Sequence, residues 1–193
     1  MTEIARFGSP AGVADAAEIR PIGLDDLSDV RYIHAASFRM LAAQYYSPDY
    51  VDAFTEQVYE PAYTDGLMAA LRRQQLYGAW LEGELVATAG WSSADDGGTE
   101  ARLRFVFVRP LFTGLGLGRR LLLAVEERAR QAGFQTFTVR ATLNAVGFFA
   151  RLGYQITSSG ARPLSVTHAL PVAFMRKSDP DTTARVQEAQ AIG

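Results

Sequence analysis

The sequence contains no cysteine among its 193 residues, which excludes disulfide bonds, thiolate nucleophiles and cysteine metal sites. It has two histidines, His34 and His168, which lie far apart in the chain, so we expect no metal centre. No apolar run exceeds five residues, far below the ~20 that a membrane-spanning helix needs. The N-terminus also lacks the apolar core of a signal peptide. These absences favour a cytoplasmic protein without a membrane partner.

Lysine is almost absent, since Lys177 is the only one beside eighteen arginines. The formal net charge is -2, so no global positive field attracts nucleic acid, and we expect no nucleic-acid partner. A GC-rich genome accounts for most of such an arginine bias. Arginine also suits bidentate phosphate contacts, so a local anion-binding site is compatible with the slightly acidic net charge. Five arginines fall within twenty residues of one another: Arg102, Arg104, Arg109, Arg119 and Arg120.

Composition and length indicate one globular domain. Apolar residues make up 48% and charged residues 21%, which is typical of a protein with a substantial core. Residues 1–17 show no sustained apolar period and are predicted to form a flexible leader. Residues 18–177 are predicted to form the folded domain, and the polar residues 178–193 a C-terminal tail.

Apolar periodicity and turn signals predict the order of helices and strands. Strands are expected at residues 19–22, 76–81, 85–91, 101–108, 134–140, 154–157 and 171–175. Helices are expected at 26–43, 48–59, within 62–73, at 117–132 and at 144–152, and a loop at 157–169. Hairpins join the early strands and helices separate the later ones. This order predicts a mixed sheet with helices on its faces, an α/β or α+β domain.

A glycine-rich bend between a strong strand and a strong helix is the most informative segment. The strand ends at Pro110, which cannot continue a ladder. Alternating glycines let the backbone turn tightly and gather N–H groups in one concavity, and the first N–H groups of a helix lack partners. The positive end of the helix dipole makes a phosphate or pyrophosphate the natural occupant. The bend runs through Gly114, Leu115, Gly116, Leu117 and Gly118.

Other interpretations of this bend fit less well. One interpretation is that the glycines only allow a tight turn between strand and helix. A single glycine would support that interpretation better than three alternating glycines do. Walker A requires Lys-Ser/Thr at the start of the helix, where this chain has no lysine. A dinucleotide fingerprint requires G-x-G-x-x-G after the first strand, whereas G-x-G-x-G stands late in this chain. A nucleotide-binding domain unrelated to coenzyme A is therefore the less favoured alternative.

Two segments resemble the GNAT superfamily of N-acetyltransferases. Val108-x-Pro110 followed by Gly114-x-Gly116-x-Gly118-x-x-Leu121 is similar to the family's acetyl-CoA loop. Downstream, NAVGFFARLGY from Asn144 to Tyr154 is similar to a later helix and strand that usually end Phe-Tyr-x-x-Leu-Gly-Phe. The resemblance covers residues 19–177. It implies a mixed, mostly antiparallel central sheet of about seven strands with helices on both faces.

The resemblance implies acetyl-CoA as the cosubstrate and assigns its contacts. The backbone of Val106, Phe107 and Val108 would pair with the pantetheine arm in a splay beside the strand that follows the long helix. The N–H of Val108 or a near neighbour would polarise the thioester carbonyl. The remaining cofactor contacts would come from the main chain of Thr113, Gly114, Leu115, Gly116, Leu117, Gly118 and Arg119, from the side chain of Arg119 or Arg120, and from Asn144 and Phe148.

Two residues depart from the family pattern. Thr113 stands where the family has Gln or Arg, so it keeps the N–H but lacks a long donor. Weaker or rearranged pyrophosphate binding is expected, but not its loss, because most donors are main-chain groups. Phe149 stands where many members have a tyrosine proposed to protonate the departing thiolate. A water can replace that tyrosine, the thiolate can leave unaided, or the chain can bind acyl-CoA with little turnover; the first two are favoured. Tyr154 is predicted to lie in the core.

The sequence identifies no catalytic acid or base. Attack by an amine requires its neutral form, so a base or a water chain is expected. The candidates are Glu100, His34 and Tyr46, although each such residue is more often solvated, capping or packed. The acceptor contacts predicted on the early helices are His34, Arg39 and Tyr45.

Together these features predict an N-acetyltransferase that moves acetyl from acetyl-CoA to a primary amine by direct attack in a ternary complex. The acceptor is a small amine or a protein amine. The alternative is an acyl-CoA-binding sensor or regulatory module with little catalytic turnover. No metal is expected as a cofactor. A homodimer is also compatible with the sequence, because the last strands of such a sheet can pair between subunits.

Overall fold

The computed structural model describes residues 10–94 and 98–178. Within these residues seven strands form one sheet: β1 (Glu18–Pro21), β2 (Leu76–Leu81), β3 (Glu84–Ser93), β4 (Glu100–Val108), β5 (Thr136–Thr142), β6 (Gln155–Pro163) and β7 (Ala169–Ser178). The helices are α1 (Pro10–Ala16), α2 (Leu27–Leu41), α3 (Pro48–Gln57), α4 (Pro61–Arg72), α5 (Leu117–Gln131) and α6 (Val146–Arg151). Short 3-10 turns cover Pro110–Phe112 and Leu143–Ala145. None of these helices is long and apolar enough to cross a bilayer.

The strands lie in the order β1-β2-β3-β4-β5-β7-β6. Only β4 and β5 are parallel neighbours; the other adjacent strands are antiparallel. The sheet is therefore mixed and mostly antiparallel, as predicted. Its alternating side chains meet different helices: Tyr77 and Ala79 of β2 pack with α5, whereas Leu76 and Trp80 pack with α2 and α4. Helices therefore cover both faces.

Helix α5 carries the glycine bend at its N-terminal end and anchors it to the sheet. Its apolar residues recur at helical spacing and are buried against β2, β3 and β4. The observed span, Leu117–Gln131, confirms the predicted helix at 117–132. Gly133 follows with φ 97°, a conformation that ends a helix without Cβ strain. The buried residues facing the sheet are Leu117, Leu121, Leu122, Val125 and Ala129.

A buried carboxylate on α5 ties the end of the sheet to this helix. Glu126 is fully buried and accepts hydrogen bonds from the Tyr154 hydroxyl at 2.7 Å and from Lys177 Nζ at 2.6 Å. Arg130 Nη2 lies 3.3 Å from the same carboxylate. Burial and the Glu126 charge hold the pKa of Tyr154 well above its usual value. Tyr154 is therefore a core residue, as predicted.

The predicted leader is partly helical. Residues 10–16 form α1, and Val13 is 1% exposed in the core beside α5. The guanidinium of Arg120 donates to the carbonyl oxygens of Ala14 and Ala17 at the C-terminal end of α1. A single apolar anchor leaves no periodic pattern, so the sequence alone did not indicate this helix. Residues 1–9 of the predicted leader lie outside the described residues.

The predicted loop at 157–169 is mostly strand. Strand β6 continues to Pro163 and pairs with β7 throughout, and the tight turn is closed by the Leu164 N–H donating to the His168 carbonyl at 2.8 Å. The prediction was wrong because β6 lies at the sheet edge, where its side chains are mostly exposed and polar. Strand β7 ends at Ser178, and residues 179–193 of the predicted tail lie outside the described residues.

Candidate active site

The sheet opens between its two parallel strands. Strands β4 and β5 pair from Glu100 and Thr136 to Leu103 and Val139, and no further pairs follow. In this region β4 also shifts register against β3. Phe105 lies at that irregularity with φ 57°, a left-handed conformation that bulky residues rarely adopt. A bulge bends a strand, so this one turns β4 away from β5 and produces the expected splay.

A chain of buried hydrogen bonds holds the bulge. The Thr88 hydroxyl donates to the Phe105 carbonyl at 2.7 Å, and His34 Nε2 lies 2.9 Å from the same hydroxyl oxygen. Because Thr88 has given its only proton to Phe105, His34 Nε2 donates to Thr88. His34 Nδ1 is then an acceptor for the Tyr63 hydroxyl at 2.8 Å. The chain thus connects α4 and α2 through β3 to the bulge of β4.

His34 is part of this support. It is fully buried, and its ring lies 4.3 Å from the Phe107 ring and 5.8 Å from the Phe105 ring, nearly parallel to the latter. Burial lowers the pKa of His34 to about 3, which keeps the imidazole neutral. The structure therefore places this candidate base in the packed support of β4, away from any accessible surface.

The end of β4 directs a backbone N–H group into the splay. The Arg109 N–H donates to the Val86 carbonyl on β3 at 2.8 Å. Successive residues of a strand direct their backbone N–H and C=O groups to the strands on opposite sides. The backbone groups of Val108 therefore face the β5 side. The Val108 carbonyl accepts the Ser37 hydroxyl of α2 at 2.8 Å, which fixes the strand at this point.

The glycine bend presents main-chain amides beside the end of β4. The Arg120 N–H donates to the Gly116 carbonyl and closes the first turn of α5, so the three earlier helical amides lack intrahelical acceptors. Gly114 and Gly116 have φ 79° and 83° and are exposed. Among residues 10–94 and 98–178, a Cβ at Gly114 would meet nothing within 4 Å, and one at Gly116 would meet only Ala14, at 3.4 Å. The described side chains therefore leave the bend open.

Gly118 serves close packing instead. A Cβ there would lie 3.1 Å from Val108 Cγ2 and 3.4 Å from Phe148 Cε2, tighter than ordinary contacts. The missing side chain lets the start of α5 approach both β4 and α6. Phe148 in turn packs edge-on against Phe149 at 5.2 Å. The two segments that carry the sequence resemblance therefore meet in space.

Four polar residues of the predicted cofactor contacts differ in their availability. Asn144 lies at the turn after β5, and its buried Oδ1 has no hydrogen-bond partner within the described part of the chain. Thr113 directs both its N–H, at 3.3 Å, and its hydroxyl, at 2.9 Å, to the Pro110 carbonyl, so neither is free for a phosphate in this conformation. Arg119 is exposed, whereas Nη1 of Arg120 donates to the carbonyl oxygens of Ala14 and Ala17 at the end of α1.

A cavity of about 1220 Å³ reaches the splay from the side of α3 and α4. Phe105, Val106 and Phe107 line it from β4, and Ala141 and Thr142 from β5. The turn between β6 and β7 lines its outer part. Phe149, 3% exposed, also borders the cavity from α6. The cavity therefore joins the interior of the splay to the surface between the early helices and the β6–β7 turn.

Two catalytic candidates from the sequence have structural partners. Glu100 lies at the beginning of β4, outside the cavity lining, and its carboxylate is 3.7 Å from Arg176. The Tyr46 hydroxyl donates to the Pro171 carbonyl at 2.7 Å and accepts the Leu143 N–H at 2.8 Å. Burial raises the pKa of Tyr46. Its hydroxyl therefore ties β7 to the turn after β5.

The two other acceptor candidates lie on the surface of the early helices. Arg39 is largely exposed and its guanidinium lies 3.9 Å from Asp52. Tyr45 is 53% exposed. Neither of them lines the cavity.

Sequence reasoning missed several cavity residues. Tyr63 lines the cavity while donating to His34, and Arg140 and Arg162 lie on its wall. Arg102 and Arg104 alternate along β4, which is a signal that both side chains share one face. Nothing in the sequence indicated that β5 and β6 bring two further arginines to the same face.

The sequence of this chain matches one known protein family. The sequence profile of the acetyltransferase (GNAT) family matches residues 39–154, more than half of the chain. The chain belongs to this family, whose members are acetyltransferases. The match includes β4, the glycine bend, α5 and α6, which are the elements that form the splay and its surroundings.

Solved structures share the fold over most of the chain. A GCN5-related N-acetyltransferase from Rhodopseudomonas palustris is 27% identical with a TM-score of 0.70, covering 84% of this chain and 96% of its own. The PaiA N-acetyltransferase from Thermoplasma acidophilum, in complex with coenzyme A, is 19% identical with a TM-score of 0.67, at 84% and 98% coverage. YncA from Salmonella typhimurium, with its cofactor acetyl-CoA, is 20% identical with a TM-score of 0.61, at 84% and 93% coverage.

Proposed function

We propose that the chain is an N-acetyltransferase that moves acetyl from acetyl-CoA to a primary amine by direct attack in a ternary complex. The splay between β4 and β5 carries the proposal, because it lies between open main-chain amides and a cavity. The amide end suits a diphosphate, and the cavity end has room for a thioester and an amine. Two proteins of similar fold bind coenzyme A or acetyl-CoA, which supports the same ligand here.

We assign the pyrophosphate to the amides from Gly114 to Arg119. The pantetheine arm would lie along Val106, Phe107 and Val108, where β4 lacks its neighbour β5. The buried Asn144 oxygen fits this placement, because an amide N–H of the arm would supply the partner that it lacks. Phe148 would border the arm from α6.

The chemical step needs little covalent chemistry from the protein. The neutral amine attacks the thioester carbon, the N–C bond forms and the C–S bond breaks, and the amine proton finally reaches the sulfur or solvent. We assign the Val108 N–H, which faces the splay, to the developing oxyanion. The absence of cysteine excludes a thioester intermediate on the protein. A water in the cavity would carry the proton, because Phe149 has none to give.

The proposal is tested by ligand stabilisation followed by an acceptor screen. Acetyl-CoA at 100 times its dissociation constant should stabilise the fold by ~2.7 kcal/mol, whereas ATP and NAD should have little effect. Release of free thiol with an amine panel should then exceed hydrolysis without amine. Binding without thiol release would favour the sensor alternative, and stabilisation by ATP or NAD alone would contradict the proposal. A cytoplasmic location and a homodimer stay predictions.

Phe149→Tyr is expected to leave turnover equal or to raise it, by up to about tenfold, because the new hydroxyl borders the cavity and can donate a proton. Steady-state kinetics with a fixed amine measures the change. Tyr154→Phe is the matched control: its hydroxyl is bound to Glu126 outside the cavity lining, so kcat per folded molecule should stay the same. A large loss in Phe149→Tyr would show that the ligand packs on the Phe149 ring.

A further inference from the structure

Four arginines from three strands of the sheet line one wall of the cavity. Arg104 and Arg140 directly follow Leu103 and Val139, the last paired residues before β4 and β5 part. No ion pair or hydrogen bond is made by any of the four side chains within residues 10–94 and 98–178. This arginine wall consists of Arg102 and Arg104 of β4, Arg140 of β5 and Arg162 of β6.

Aromatic rings hold three of these guanidinium groups. Arg104 lies 4.8 Å from the centre of the Phe105 ring, which is the bulge residue itself. Arg140 lies 5.7 Å from the Phe174 ring, and Arg162 lies 5.3 Å from the Phe54 ring. Contact with a ring orients a guanidinium without using its N–H groups, so these donors stay available.

One residue of the arginine wall, Arg162, lacks the partner that a buried guanidinium group normally has. Nη2 of Arg162 is buried without a hydrogen-bond partner among the described residues. Burial, and then the charges of Arg104 and Arg140, lower the pKa of Arg162. An unpaired buried donor costs free energy that a bound acceptor group recovers. Four cations around one cavity therefore favour an anionic occupant.

Carboxylates also line this cavity, but none of them forms an ion pair with the arginine wall within the described residues. Asp49, Asp52, Glu56 and Glu60 lie on or beside α3 and are exposed. Of these, Asp52 pairs with Arg39 on α2, outside the cavity lining. The cations of this lining therefore come from strands of the sheet, and the anions from α3 and the residues around it.

We propose that the acceptor is a small amine that carries a carboxylate or phosphate group, and that the arginine wall binds this group. The proposal rests on the proposed acetyl transfer and names its substrate class. The wall borders the point where β4 and β5 part, so an anion held there places a nearby amine beside the thioester. The same cations disfavour an ammonium ion, which helps the acceptor to lose its proton without a side-chain base.

Matched acceptor pairs test the proposal. We would first confirm acetyl-CoA binding by thermal shift, and then compare kcat/KM for glycine with glycinamide, and for phosphoethanolamine with ethanolamine. Spermidine would serve as a cationic acceptor. At least one anionic member should exceed its neutral partner by about tenfold to hundredfold, the range expected for hydrogen bonds to a charged group. The two pairs separate a carboxylate preference from a phosphate preference.

Substitutions of single arginines test whether the preference for anionic acceptors arises from the arginine wall. Arg140→Gln and Arg162→Gln should each remove most of the anionic preference through KM and leave acetyl-CoA stabilisation unchanged. Arg73→Gln, at the exposed end of α4 and outside the cavity lining, is the matched control and should keep the preference. Loss of acetyl-CoA binding in the parent chain would refute the proposed function. Intact binding with equal use of neutral amines, or a preference for spermidine, would refute the substrate class alone.

Discussion

Replacing Gly116 with tryptophan is expected to abolish acetyl-CoA binding while the chain stays folded. The indole would stand over the amides that we assign to the pyrophosphate, and affinity should fall more than about hundredfold, or roughly 2.7 kcal/mol. Calorimetric titration with acetyl-CoA measures the loss, and circular dichroism checks the fold. In the described part of the chain, a Cβ at this position has one neighbour within 4 Å, Ala14 at 3.4 Å, so the substitution meets few of these residues.

Gly83→Trp is the matched control for this substitution. Gly83 has φ 86°, close to the 83° of Gly116, and a Cβ there meets nothing within 4 Å. The control therefore adds the same bulk and the same backbone strain in the β2–β3 turn, away from the bend. It should lose a similar amount of stability and bind acetyl-CoA normally. Acetyl-CoA affinity that survives in Gly116→Trp would contradict the placement of the pyrophosphate.

Mild acid is expected to destabilise the protein through His34. The pKa of His34 falls from 6.5 to about 3 on folding, because burial disfavours the imidazolium. Below pH 6.5 the unfolded chain therefore binds more protons, and stability that is fully present above that pH is lost as the pH falls towards 3. Between about pH 7.5 and about pH 5.5 the free energy of unfolding should fall by about 1 kcal/mol. Urea unfolding at the two pH values measures this change.

The chain has only two histidines, which makes the assignment direct. His34→Gln should flatten the pH dependence in this range. An NMR titration of the imidazole in the parent chain provides a second measurement that needs no variant. Protonation of His34 in the folded state above about pH 5 would contradict its neutral role as a donor to Thr88 and an acceptor for Tyr63.

The glycine bend and the helix after it were predictable because both depend on local chemistry. Gly114 and Gly116 adopt positive φ where the sequence predicts a tight turn, and α5 begins at Leu117 as its apolar spacing predicts. Strand β2 spans Leu76–Leu81 as predicted, because a short buried strand leaves a clear apolar run. The order of such elements was sufficient to predict the mixed sheet.

The acceptor side was not predictable because it depends on contacts between distant segments. The bulge at Phe105 is held by Thr88, and His34 and Tyr63 complete the support from two helices. No spacing rule connects these positions. The arginine wall has the same origin, since the sheet order places β7 beside β5 and β6 at the edge next to β7. The sequence therefore indicated His34 and Tyr46 as catalytic candidates. In the structure their polar atoms form hydrogen bonds that hold the backbone in place.

The most direct test of the central claim is an NMR titration of the backbone amides with coenzyme A. The amide resonances of Gly114, Gly116 and Gly118 should shift and gain protection from exchange at saturating ligand, while that of Gly83 stays unchanged. This result would place the diphosphate on the bend between β4 and α5. Binding of coenzyme A that leaves the three glycine amides unperturbed, or no binding at all, would contradict the account.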